Sequence, residues 1–192
     1  MSTQVKDRRT AILDAVIQLL AEKGLSGVTH RAADMQAGLP QGSTTYYFPK
    51  KTALLREAAA HLALELEKDC DDLQIAFADV VAKQGMEAAI DRAAQGLLAS
   101  ADKGRELLLA RIELTLAAAR DEDLSDVGER LSVAARRPIE FFVNLVTGGR
   151  NTVPMETCVG LIDGIALMYA TGQGPKPTVA QVSTVLRSLT ID

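Results

Sequence analysis

The segment from Val28 to Lys51, VTHRAADMQAGLPQGSTTYYFPKK, constrains the fold more than any other part of the 192-residue chain. Thr29 carries the side-chain oxygen that caps a helix, and that helix is expected to continue through Ala32, Ala33, Gln36 and Ala37. Gly38 can take the positive φ that stops it. Leu39 is disfavoured as helical because a proline follows, and Pro40 suits the first turn of a second helix, where its missing N–H costs nothing. That second helix is predicted to carry Gln41, Gly42, Ser43, Thr44, Thr45, Tyr46 and Tyr47. Two short helices joined by a glycine turn form a helix-turn-helix, in which the first helix braces on a DNA backbone and the second offers its amino-terminal residues to base edges.

The residue types fit that use. Gln41, Ser43 and Thr45 have the donors and acceptors for base edges, and Gly42 would let the helix approach closely. Arg31 is placed with them toward bases. Thr29, Tyr46, Tyr47 and Lys51, with Lys50 beside them, can reach phosphates, which set register and affinity rather than sequence. The competing reading is that Tyr46, Tyr47 and Phe48 anchor a small helical core and the lysines are its solvated end. Asp34 needs a partner if it is buried, and Arg31, three residues earlier on the same helix, is the nearest candidate.

From Gly38 to Lys51 the chain resembles the signature of TetR-family transcriptional regulators: a glycine turn, a short recognition helix, aromatics, then Phe48 and Lys51 in the family's phenylalanine and lysine places. The stretch Lys6 to Gly24, KDRRTAILDAVIQLLAEKG, is similar to the basic, amphipathic first helix of the family's three-helix head. The resemblance covers roughly residues 6 to 60. It departs from the family pattern at Asp34, usually alanine, at Thr44, usually leucine or isoleucine, and at Thr45, usually tyrosine. What it implies is an all-α protein with a DNA-binding head over 1–51 and a helical ligand-binding and dimerisation domain over 52–192. It also implies a homodimer on double-stranded operator DNA that represses until a small-molecule effector binds.

Charge divides along the same line. From Met1 to Glu57 there are 8 Lys and Arg against 5 Asp and Glu, net +3, while the remainder carries 13 against 20, net −7, giving the chain's −4. A basic head on an acidic body is the asymmetry of a DNA-binding module joined to something that does not touch DNA.

Beyond the head, the apolar spacing predicts helices over Thr52 to Phe77, Gly85 to Ser100, Gly104 to Arg120, Leu124 to Val146, Met155 to Thr171 and Val179 to Leu189. Breaks are expected at Gly85, Asp102 to Gly104, Asp121 to Asp123, Gly148 to Pro154 and Gly172 to Pro177, and Pro138 should start or kink its helix. Strands have almost no candidates. TCVGLIDGIALMYA, from Thr157 to Ala170, holds only Asp163 as a charge, and IEFFVNLV, from Ile139 to Val146, is nearly as apolar. Both want a partner surface, so dimerisation is expected through the helices around 124–147 and 155–171, with Gly160 and Gly164, one turn apart, permitting close approach. The alternative is that they form the interior of the body. A short recognition helix reads few bases, so two copies roughly 35 Å or more apart are needed for useful specificity.

Candidate polar groups for an effector pocket are Arg111, Glu113 and Thr115, with Phe77, Met86, Phe141, Met168 and Tyr169 as apolar walls. For Arg111 and Glu113 the plainer account is a solvated or interhelical ion pair.

Other classes find little support. His30 and His61 are the only histidines: His30 has phosphate contact within its reach, and His61 reads as a packing or surface residue. Metal-ligand spacing, a nucleophile elbow and a phosphate-binding glycine loop are missing, so neither an enzyme nor a cofactor or metal site is expected. Cys70 and Cys158 are too few for a disulfide scaffold and are expected reduced, one near a helix surface and one buried. No apolar run is long enough to span a membrane, which places the expected location in the cytoplasm. A helical protein-binding adaptor, its head disabled through Asp34 and Thr45, is the remaining alternative.

Overall fold

Apolar residues at Ile12, Leu13, Val16, Ile17, Leu19 and Leu20 recur at helical spacing, and in the computed structural model they form the buried face of α1, Arg8–Gly27. The structure describes residues 7–99, 101–147, 154–176 and 178–188. Among these the chain is helical throughout and contains no strand. α2 is His30–Gln36, α3 Ser43–Tyr47, α4 Lys51–Gln84, α5 Met86–Ala99, α6 Ala101–Ala118, α7 Ser125–Thr147, α8 Met155–Ala170 and α9 Val179–Ser188. A single 3-10 turn, Glu122–Leu124, precedes α7 and is capped by the Asp121 carboxylate, which accepts from Asp123 N–H at 3.0 Å.

The helices gather into two compact units. One comprises Met1–Leu64 and Glu106–Ser132, the other Glu65–Arg105 and Val133–Asp192, so α4, α6 and α7 contribute residues to both. In the first unit α1 packs against α2 and α3, and Leu54, Ala58, Leu62, Leu114 and Leu131 are fully buried. His61 Nε2 meets Asp14 Oδ1 at 2.7 Å, tying α4 to α1. In the second unit α5 packs against α9, and Ser183 Oγ donates to Asp91 at 2.9 Å. Phe77, Phe141 and Phe142 meet edge to face there, with ring centroids 5.2 to 6.4 Å apart.

Several sequence expectations need correction. The break expected at Asp102 to Gly104 is helical, because α6 already begins at Ala101 and absorbs the glycine. Of the two places expected for Pro138, the helix start is excluded, since it lies inside α7. Its ring fixes a φ that suits a helix, and what it forfeits is one backbone donor. Both cysteines are buried, Cys70 as well as Cys158, and both are free thiols. Burial pushes the Cys70 thiol up, against the lowering effect of Gln74 and Arg137. The expected break at Gly148 to Pro154 lies, but for Pro154, outside the described residues.

Candidate nucleic-acid interface

Thr29 does what its position suggests: in extended conformation just before α2, its hydroxyl accepts the Ala32 N–H at 3.1 Å. Gly38 ends the same helix at φ +65°, a conformation that would strain any residue with a Cβ. Leu39 N–H then returns to Asp34 C=O at 2.9 Å, closing the helix end.

The second helix is shorter than the sequence predicts. α3 starts at Ser43, so Pro40, Gln41 and Gly42 precede it. Gly42 is its N-cap at φ +93°, which makes the glycine a requirement of the turn. Pro40 accepts through its carbonyl from Ser43 N–H at 3.1 Å and Ser43 Oγ at 2.6 Å.

Asp34 is buried, 2 % exposed, and its partner is not Arg31. Oδ2 accepts Gly42 N–H at 2.7 Å, while Oδ1 accepts Thr44 N–H at 2.7 Å and the Thr44 hydroxyl at 2.6 Å. The carboxylate thus leaves α2 to cap α3, where negative charge is favoured at a helix start. Burial works to raise its pKa, but the hydrogen bonds from Thr44 and Gly42, with His30 nearby, outweigh it and hold the carboxyl below the usual range. Thr44, fully buried, supplies the hydroxyl that makes the pair work. The two substitutions that looked like separate departures are one contact.

The aromatic run divides. Phe48 is buried with the Arg9 guanidinium 5.5 Å over its ring, whereas Tyr46 is 82 % exposed and Tyr47 is exposed beside it, ring edge to ring face at 5.1 Å. Only the last of the three anchors the core. His30 Nε2 lies 2.7 Å from the Phe48 carbonyl, which can only accept, so that nitrogen carries the proton and is engaged within the fold.

Arg31, Gln41, Thr45, Tyr46, Lys50 and Lys51 are all exposed on the same compact unit. Lys51 Nζ also donates to Leu25 C=O at 3.1 Å. Met35, on α2, is 73 % exposed and was not anticipated; its position one residue after the buried Asp34 is the only sequence signal for it.

The effector candidates do not all fall together. Arg111, Glu113 and Thr115 belong to the first unit; Phe77, Met86, Phe141, Met168 and Tyr169 belong to the second. Phe77 and Phe141 touch, ring centroids 6.4 Å apart. Glu113 accepts the backbone N–H of Leu25 at 2.8 Å. Met86 and Met168 are at the surface and Tyr169 is half-buried.

Comparison with known proteins decides the family. Residues 12–58 match the bacterial regulatory proteins of the tetR family, and residues 84–191 match the tetracyclin repressor-like C-terminal domain. The chain belongs to the TetR family. It is accordingly a transcriptional regulator with a helix-turn-helix head. TetR-family structures share its fold over nearly the full length. A family member from Streptomyces coelicolor is 23 % identical with a TM-score of 0.68, covering 97 % of this chain and 99 % of that one. The multidrug binding protein EbrR complexed with ethidium is 23 % identical with a TM-score of 0.65, covering 97 % and 100 %. A transcriptional regulator from Rhodococcus is 19 % identical with a TM-score of 0.63, covering 94 % and 92 %. No curated protein matches. No helix among the described residues of this TetR-family chain is long and apolar enough to cross a membrane.

Proposed function

We propose that this TetR-family regulator is a homodimeric repressor that binds double-stranded operator DNA through α2 and α3 and leaves it when a small molecule binds. Residues 1–51 serve as the DNA-binding head and residues 52–192 take up effector and partner copy. Arg31, Gln41, Gly42, Ser43 and Thr45 face the bases; Thr29, Tyr46, Tyr47 and Lys51 face the phosphates. The observation that carries this reading is the intact helix-turn-helix, in which Asp34 caps α3 and leaves Gln41, Thr45 and Tyr46 exposed in front of it. An adaptor with a disabled head presupposes that Asp34 is damage, and a carboxylate with three hydrogen bonds gives that premise no support.

Dimerisation is supported by α8, where Leu161 is 64 %, Ile165 48 % and Met168 53 % exposed at spacings of four and three residues, one face of a helix. Gly160 and Gly164, each one residue before a member of the stripe, flank it with open space where a Cβ would stand. An apolar stripe of this kind, with room for close backbone approach, suits a second copy.

Ligand-driven release is a two-state shift: the effector favours the spacing of heads that does not fit the operator. EbrR, the relative of known structure that binds ethidium, supports a planar aromatic compound as the first probe. The experiment titrates ethidium first into the full chain without DNA, by calorimetry, and then into its complex with a duplex selected by the protein from a randomised pool, at probe concentrations below those at which ethidium intercalates into that duplex alone. The proposal expects release at saturating probe for an effector of that class. A panel of drug-like compounds that all leave the complex intact would count against release by ligand.

A further inference from the structure

The backbone donors of Gly42, Ser43 and Thr44, at the start of α3, are taken within the protein. Asp34 accepts those of Gly42 and Thr44, and Pro40 C=O accepts that of Ser43. The start of α3 is therefore held from beneath by Asp34 of α2.

What holds it is directional. With Asp34 2 % and Thr44 0 % exposed, the contact is dry, and its three hydrogen bonds span 2.6 to 2.7 Å. An alanine and a leucine or isoleucine at these two places would make an apolar contact, which is non-directional and tolerates a small rotation of the helix. Hydrogen bonds weaken steeply as their angles open, so the carboxylate resists that rotation. Gln41 immediately precedes the capped residues and Thr45 immediately follows them.

We propose that Asp34 and Thr44 are positioning residues for sequence readout, fixing the rotation of α3 and thereby the base edges that Gln41 and Thr45 meet. This rests on the reading of α3 as the DNA-reading helix. The pair touches no DNA itself.

The test compares the full chain with three variants: the double substitution Asp34→Ala with Thr44→Leu, the single Asp34→Asn, and Thr44→Ser. Each is titrated with a duplex selected by the unaltered protein from a randomised pool and with a shuffled duplex, over a salt series, and each is melted alone. The double variant should fold, with apolar packing as in the family pattern. Its preference for the selected duplex should fall about tenfold, on the scale of one good base contact, while its affinity for shuffled DNA and its salt slope stay as they were. Thr44→Ser keeps the hydroxyl and should keep the preference.

A folded double variant that retains the full preference overturns the proposal, because a merely structural pair would be replaceable without loss of readout. If the double variant does not fold, Asp34→Asn carries the test: its amide cannot accept from Gly42 N–H and Thr44 together as the carboxylate does, so retained preference there is equally fatal. An unaltered protein that prefers no duplex overturns the DNA-reading assignment, and the positioning role with it.

Discussion

Glu113 Oε2 accepts the N–H of Leu25 at 2.8 Å, joining α6 to a residue 88 positions earlier in the chain. Just before it, Gly24 turns through φ +65° inside α1, and a Cβ at Gly24 would come within 3.2 Å of the same carboxylate. Leu25 is held on its other side as well, its C=O accepting from Lys51. A residue read from sequence as a pocket candidate thus organises the end of the first helix. Glu113→Ala should destabilise the fold by about 1–3 kcal/mol, the cost of leaving a partly buried donor unpaired. Calorimetry should show a Tm lower by roughly 2–4 °C for each kcal/mol lost. An unchanged Tm would mean that the contact contributes nothing.

Thr29 is a second local hinge of the fold. Thr29→Ala removes the only side-chain cap recorded for α2 and should cost about 1 kcal/mol in urea unfolding. Asparagine at the same place should restore most of it, since its side chain can accept the same N–H. Loss without rescue would point to a role other than capping.

Lys51 and Gln41 should fail differently on DNA. Lys51→Ala should weaken binding to every duplex and reduce the salt slope by about one unit, whereas Gln41→Ala should cost roughly 1–3 kcal/mol on the operator and little on random DNA. Equal losses on both duplexes for Gln41→Ala would remove it from base reading.

What the sequence made legible follows from how local each cause is. Thr29 as a cap and Gly38 as a stop depend on residues within a few positions of one another, and they lie where the sequence placed them. The partner of Asp34 was not legible, because Arg31 is its neighbour in sequence but Gly42 and Thr44 are its neighbours across the turn. The positive φ of Gly42 was not legible either, because it is set by where α3 begins. Glu113 was misleading for the same reason: its partner lies in another helix, and helical periodicity says nothing of that. In the second half a boundary moved where a glycine, Gly104, was tolerated inside a helix.

Acid should release the Asp34 cap. Its folded pKa lies below the ordinary value near 3.9, so ionisation stabilises the fold above that pH, and the gain is lost as pH falls through the folded value. The difference in unfolding free energy between the unaltered chain and Asp34→Asn should be full at neutral pH and shrink below about pH 4. A difference that stays constant down to the acid transition would contradict the charged cap.

The α8 stripe gives the dimer its own test. Ile165→Glu with Met168→Glu places two charges on the exposed apolar face and should convert a dimer to a monomer in sedimentation equilibrium, with operator affinity lost in parallel. A variant that stays dimeric would move the interface elsewhere.

The central claim is that this head selects a DNA sequence. Fluorescence anisotropy with the intergenic DNA beside the protein's own gene and with a shuffled duplex, each over a salt series, tests it directly. The account predicts binding to the first that is at least ~1000-fold tighter at moderate salt, with both affinities falling as salt rises. Equal, weak binding to that duplex, to the shuffled one and to every duplex drawn from a randomised pool would contradict it.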